Sequence, residues 1–256
     1  MSSEHIQTQV DGSILRITIH RPEKKNALTG AMYTALTEAL KWLDADDALR
    51  VGFITGTEDC FTSGNDLADF LSTPPSSQDS PVMRFLAQLP QQKKPLVAAV
   101  NGAAVGVGTT LLLHCDLVYA APLAKFQMPF TNLGLCPEAG SSLLLPMTMG
   151  YQRAAELLML GEPFTAAQAH AYGLVNQVFE GDYQAQAFAR ARSLAAQPPQ
   201  SIRLTKALLK RTQHTLLSET MAEEGANFIR MLGEPAAREA MSAFMQKRKP
   251  DFSNLT

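Results

Sequence analysis

Apolar and polar positions alternate from Ile14 to His20, with Leu15, Ile17 and Ile19 on one face and Arg16, Thr18 and His20 on the other. That period predicts a strand with one face in water. After the polar loop Arg21-Pro22-Glu23-Lys24-Lys25-Asn26, the positions Met32, Leu36, Ala39, Leu40 and Leu43 recur at helical spacing. Val51 to Thr55, Leu96 to Val100 and Leu117 to Ala121 are short apolar runs that read as buried strands. Val82, Phe85, Leu86 and Leu89 mark another amphipathic helix, and Ser72 to Ser80, with two prolines and four serines, reads as a flexible loop without core residues. Short buried strands separated by helices predict an α/β fold with crossover connections.

Beyond residue 160 the pattern turns helical. Thr165-Ala166-Ala167-Gln168 has the form of a capping box, Gly173 suits the end of that helix, and Leu174 to Phe179 reads as a last strand. From Pro198-Pro199 the chain reads as helix almost to Lys247. The expected organisation is a core over residues 1–200 and a helical C-terminal region over 201–256, packed on its own core or on a neighbour.

Of the 256 residues, 46% are hydrophobic and 18% charged, enough apolar side chain for a sizeable core and too much for a disordered chain. The 22 basic and 24 acidic residues give a net charge of -2, so neither a nucleic acid nor a membrane surface is an expected partner. Cys60, Cys115 and Cys136 form no Cys-x-x-Cys pair and read as reduced thiols. The segment Met1-Ser2-Ser3-Glu4-His5 lacks a signal pattern, and no apolar stretch reaches the ~20 residues of a membrane span, so a cytoplasmic protein is the expectation.

No P-loop, dinucleotide fingerprint, nucleophile elbow or zinc-spaced histidine pair is present, and no metal site is expected. His114, inside an apolar run, reads as a satisfied core histidine. Two glycine-bearing turns follow strands and lead toward helices: Cys60-Phe61-Thr62-Ser63-Gly64-Asn65-Asp66-Leu67 and Gly102 through Gly108. Converging, their free N–H groups would form an oxyanion hole; read alone, they are ordinary strand-to-helix turns. A third segment, Phe126 to Ser142, carries one carboxylate, Glu138, among apolar and small residues. It is either a base with a raised pKa or a glutamate stabilised at a helix N-terminus, and this feature alone leaves both open.

Together the segments resemble the crotonase superfamily, the enoyl-CoA hydratase/isomerase proteins. Arg21-Pro22 with Asn26-Ala27-Leu28, Phe61-x-Ser63-Gly64-x-Asp66, Asn101-Gly102 through Gly108 and Cys115-Asp116 occur in that family's order and spacing over nearly the whole chain. The resemblance implies a spiral of ββα turns with two roughly perpendicular sheets, a helical C-terminal trimerisation region, and a homotrimer or a dimer of trimers. It implies backbone oxyanion donors at Asn65 and at Val107, between Gly106 and Gly108. It lays Ser63, Gly64, Asn65, Asp66 and Leu67 along a bound acyl-CoA thioester, with Lys24 and Lys25 beside the CoA phosphates.

The chain departs from a typical hydratase of that family, whose two glutamate positions here hold Thr110 and Phe130. Phe130 is left to line the substrate site. Asn132-Leu133-Gly134-Leu135 through Glu138, with Ser63-Gly64-Asn65-Asp66-Leu67 and Pro129-Phe130, is similar to the peroxisomal-type Δ3,Δ2-enoyl-CoA isomerases, in which one glutamate is the acid/base. The expected reaction needs no cofactor beyond the CoA of the substrate. Other acyl-CoA chemistry (hydratase, decarboxylase, hydrolase or ring isomerase) and a non-catalytic acyl-CoA-binding module are the competing readings. Asp66 reads as a helix N-cap and Asp116 as structural; Cys136 lacks a histidine partner for a nucleophile's role. Ser141 and Ser142 either line the pocket or cap a helix, and Phe244 and Lys247 sit where C-terminal family residues approach CoA.

Overall fold

The structure, a computed structural model, describes residues 4–255. β1 (Ile6–Asp11) and β2 (Ile14–Ile19) pair antiparallel, and α1 (Gly30–Ala45) follows. Three similar passages come next. β3 (Val51–Thr55) and β4 (Cys60–Thr62) lead to α2 (Leu67–Ser72) and α3 (Pro81–Gln88). β5 (Leu96–Val100) and β6 (Ala103–Val105) lead to the single turn α4 (Val107–Thr110). β7 (Leu117–Ala120) and β8 (Lys125–Gln127) lead to α5 (Ser141–Met149) and α6 (Tyr151–Leu160). β9 (Phe164–Thr165), α7 (Ala166–Ala171), β10 (Gln177–Val178) and α8 (Tyr183–Ala195) close the core. The C-terminal helices are α9 (Pro199–Lys210), α10 (His214–Leu232) and α11 (Pro235–Met245).

Each passage lays one strand in each of two sheets, ordered β1-β2-β3-β5-β7-β10 and β4-β6-β8-β9. Within the larger sheet β2, β3, β5, β7 and β10 run parallel; within the smaller one β4, β6 and β8 do. This is the α/β spiral that the resemblance implies. β3 and β5 are buried along their whole length, as parallel strands covered on both faces must be. The face expected in water is the one that changes most: Arg16 lies under α8, its guanidinium 4.6 Å from the centre of the Phe188 ring, because α8 packs over Val51, Phe53, Val97 and Tyr119.

The short strands β4, β6, β8 and β9 have two or three residues each, too few to show a period, and β1 buries only Ile6. Leu174 to Phe179 is strand only at β10, with Asn176 joining β7 through its side chain, Oδ1 accepting from Val118 N at 2.7 Å. Pro75 is buried, against the expectation for the 72–80 loop. The capping box is formed: Thr165 Oγ1 accepts from Gln168 N at 3.2 Å, and Gln168 Oε1 accepts from Thr165 N at 2.9 Å. No described helix is long and apolar enough to cross a membrane.

The C-terminal helices pack on their own core. In α9, Lys206 Nζ donates to Asp116 Oδ2 at 2.7 Å and to Lys94 O at 2.8 Å, and the same carboxylate oxygen accepts from Leu96 N at 2.8 Å. α10 presents Phe228 edge-on to Phe70, and α11 lies so close to Gly134 that a Cβ there would stand 2.6 Å from the Ala236 carbonyl carbon. The Lys206 and Asp116 side chains are 6% and 23% exposed, so losing one partner strands a charge in poor solvent. Lys206→Met is expected to lower the unfolding free energy by about 3 kcal/mol in urea titration, and adding Asp116→Asn should recover part of that loss.

Candidate active site

β4, β6 and β8 are neighbours in the smaller sheet, and the chain leaves all three at the same end. The β4 exit carries Ser63 to Asp66, the β6 exit carries Gly106 and Val107, and the β8 exit runs on to Glu138. Ligands bind outside the carboxyl ends of parallel strands for this reason: several chain exits open on one crevice. Here the crevice is a cavity of about 690 Å³.

Its walls bring together almost every expected site residue. Ser63, Gly64, Asn65, Asp66 and Leu67 line it from one side; Gly106 and Val107 line it from another. Lys24 and Lys25 stand on it too, on a loop tied down by the buried Asn26, whose Nδ2 donates to Cys60 O at 2.7 Å. Phe130 and Glu138 complete the set. Gly108 is the correction. It does not line the cavity but packs into the smaller sheet, where a Cβ would stand 2.6 Å from Thr62 Cγ2. Phe244 lines the cavity, whereas Lys247 does not.

Two of the backbone donors that make no bond with the described residues stand at the strand exits. Leu28 N donates to Gly64 O at 2.8 Å, and Asp66 N donates to Leu28 O at 2.9 Å; the N–H of Asn65 between them makes no bond with the described residues. Gly106 N donates to Gln127 O at 2.8 Å, and Thr109 N and Thr110 N return to Gly106 O; the Val107 N–H, first in α4, is free as well. Peptide N–H groups in folded chains are nearly all paired, so those of Asn65 and Val107, on residues that line the cavity, are open to a ligand. Gly64 takes φ +89° and lies where a Cβ would meet Val105 O at 2.9 Å, so only glycine permits this approach of the two strand exits.

Two carboxylates reach the cavity, and their states differ. Asp66 is the N-cap of α2, accepting from Ala68 N and Asp69 N at 3.1 and 3.2 Å, and pairs with Arg21 at 2.7 Å. Burial pulls its carboxyl upward, but the Arg21 guanidinium and the two N–H groups outweigh burial and hold it below its ordinary range. Glu138 has no cation. Burial pushes it up to about 8, against the pull of a hydrogen bond donated by the Thr110 hydroxyl, while the Glu224 carboxylate adds to the rise. It precedes α5 rather than standing at its N-terminus.

The Glu138 loop is braced from two sides. Ala139 and Gly140 are both left-handed, at φ +59° and +70°. His114 Nε2 lies 2.8 Å from Ala139 O; burial drives the imidazole down to about 4, so it is neutral and Nε2–H is the donor. From α10, Glu224 accepts from Gly140 N at 2.6 Å, from Ser142 N at 2.9 Å and from Ser142 Oγ at 2.6 Å. Ser142 thus belongs to the cap of α5, and the buried Ser141 hydroxyl has no partner. Burial, with the Glu224 charge second, raises Cys136 to about 11, which leaves it protonated and non-nucleophilic.

The enoyl-CoA hydratase/isomerase family profile matches residues 9–254. The chain belongs to that family. It is 39% identical to enoyl-CoA delta isomerase 2 of Rattus norvegicus over 96% of its own length, spanning 65% of the rat protein. It is 36% identical to the 1,2-epoxyphenylacetyl-CoA isomerase of Escherichia coli K12, covering 98% of both chains. Among solved structures, Pseudomonas aeruginosa OdaA is 49% identical and superposes with a TM-score of 0.92, covering 95% of this chain and 99% of that one.

This family member holds at Thr110 a buried hydroxyl bonded to Glu138, and at Phe130 a buried ring on the cavity wall. Sequence reasoning missed Tyr33, which lines the cavity from α1, and Phe228 and Met241 from the C-terminal helices. Each sits in an apolar helical stripe and carries no local signal of a site. The Glu138 carboxyl generates a sign-definite expectation. Between about pH 4.5 and 8 the folded chain keeps a proton that the unfolded chain releases, so its stability falls as pH rises through that window. Glu138→Gln should match the native chain in thermal unfolding below pH 4.5 and exceed it by about 5 kcal/mol above pH 8.

Proposed function

We propose that the chain is a Δ3,Δ2-enoyl-CoA isomerase. The observation that carries this reading is one cation-free carboxyl facing a cavity that also holds two unpaired peptide N–H groups. Asp66, the other carboxylate, is already committed to Arg21 and a helix cap. Adding water across a double bond by the two-carboxylate route needs a second free base. Moving a double bond needs one.

In the proposed reaction, the Glu138 carboxylate removes a proton from C2 of a 3-enoyl-CoA. The electron pair of that C–H bond passes into the conjugated system and onto the thioester oxygen, giving a dienolate. The Asn65 and Val107 N–H groups hold that oxygen, each donor worth roughly 3–4 kcal/mol in the transition state. Protonated Glu138 then gives its proton to C4, the double bond closes between C2 and C3, and the carboxylate is restored. The step is redox-neutral and calls for no electron carrier; CoA serves as the substrate's handle. Lys24 and Lys25 at the cavity wall suit the CoA phosphates. Association of three copies, as the resemblance implies, is supported by Leu204, Leu208 and Leu209, which leave an apolar stripe exposed along α9.

A pKa near 8 leaves a minority of the base ionised at neutral pH, so turnover should climb with pH and level off above about 8. The direct test mixes the purified protein with trans-3-hexenoyl-CoA and follows ultraviolet absorbance of the conjugated thioester. Absorbance should rise, and Glu138→Gln or Glu138→Ala should slow the rise about 10²–10⁴-fold. No rise, with the acyl-CoA still bound in calorimetry, would sink the isomerase reading and favour another acyl-CoA reaction, ring isomerisation first among them.

A further inference from the structure

The short segment from Leu28 to Tyr33 reaches the β4 exit twice. The Leu28 backbone takes up Gly64 O and Asp66 N, which fixes the peptides on either side of Asn65. Five residues later, on the first turns of α1, the Tyr33 hydroxyl donates to Asn65 Oδ1. The Tyr33 ring is buried and rests on Phe85 of α3, with ring centres 5.5 Å apart. Asn65 is therefore held by both neighbouring peptides and by its own side chain. Its side-chain oxygen is taken up by Tyr33, its backbone N–H makes no bond with the described residues, and the residue lines the cavity.

We propose that Tyr33 is a positioning residue: its hydrogen bond to the Asn65 side chain locks the orientation of the Asn65 N–H toward the developing oxyanion. The inference rests on the proposed reading of the cavity as a site that enolises acyl-CoA thioesters. The geometry gives a reason for an amide at position 65 even though its catalytic group is a backbone one. With an aliphatic side chain that peptide would be held by the Leu28 contacts alone, and a misplacement of about 1 Å can cost a reaction roughly 10²-fold. The Tyr33 hydroxyl keeps its donor role over the whole working range. Burial, and then the charge of Glu138, hold its pKa well above that of a free phenol.

A β-ketoacyl thioester tests this without relying on isomerisation. Bound acetoacetyl-CoA gives its C2 proton to the Glu138 carboxylate, the charge spreads over its thioester and ketone oxygens, and the enolate has an ultraviolet band. Butyryl-CoA binds the same cavity without enolising and reports on the fold of the site. Tyr33→Phe, which deletes only the hydroxyl, should cut the enolate fraction roughly tenfold, less than the 10²–10³ expected for a lost donor. Asn65→Ala, which keeps the N–H, should give a similar loss, and the double variant should fall no lower than the worse single one, since one contact is removed twice. Butyryl-CoA affinity should stay within about twofold throughout. An unchanged enolate band in Tyr33→Phe overturns the proposal, as do additive losses in the double variant or a parallel loss of butyryl-CoA binding. If the native protein binds butyryl-CoA and yields no enolate, the underlying reading of the cavity falls and this inference with it.

Discussion

A carboxyl group without a counter-ion, pressed into an apolar wall, is the constraint around which this molecule is arranged. Charging Glu138 is costly because burial removes water and no cation replaces it. The surroundings moderate that cost rather than cancel it. Thr110 lowers it with one hydrogen bond, the Glu224 carboxylate adds to it, and the net effect leaves the group at about 8. A cation at this position would have produced a fully ionised and feebly basic carboxylate. The contrast with Asp66 is instructive, since Arg21 and a helix N-terminus there hold a second carboxylate in its charged form on the same cavity. Two like groups in one cavity are separated by environment, one pushed up to about 8 and the other held below its ordinary range.

Holding Glu138 in place requires elements far apart in the chain. Two consecutive left-handed residues follow it, one of them an alanine, a conformation that costs about 1–2 kcal/mol without compensation. The compensation comes from His114 in the middle of the chain and Glu224 in α10. The C-terminal helices thus contribute to the site in two ways: Glu224 ties down the segment that presents the base, while Phe228, Met241 and Phe244 close the cavity wall. Lys206, further from the cavity, binds α9 to the start of β5 through Asp116. Treating residues 201–256 as an appendage understates how strongly the site depends on them.

The place of Thr110 shows how one fold accommodates different reactions. At one of the two positions where the resemblance expects a hydratase carboxylate, its hydroxyl bonds to Glu138; it can donate a hydrogen bond but cannot act as a base near neutral pH. With Phe130 the other expected carboxylate position becomes an apolar wall. The N–H groups of Asn65 and Val107 are indifferent to the side chains at 110 and 130 because they belong to the backbone, set by strand exits and by Gly64.

Much of this was legible in the order of residues. The apolar runs that became β3, β5 and β7, the helical stripe of α1 and the capping box of α7 are local patterns, and local patterns follow from side-chain period and backbone hydrogen bonding. The glycine turns and the lone glutamate were visible as candidates for the same reason. The smaller sheet was not, because two- and three-residue strands carry no period. Nor was the burial of Arg16 under α8, which depends on a helix more than 160 residues later. Tyr33, beside the apolar stripe of α1, carries no local signal of a site; the fold sets its hydroxyl against Asn65. Residue order specifies which groups are available and which local shapes they take. Whether a given N–H is left unpaired, and whether a carboxyl is far from every cation, are properties of the space between distant segments, and they exist only once those segments have packed.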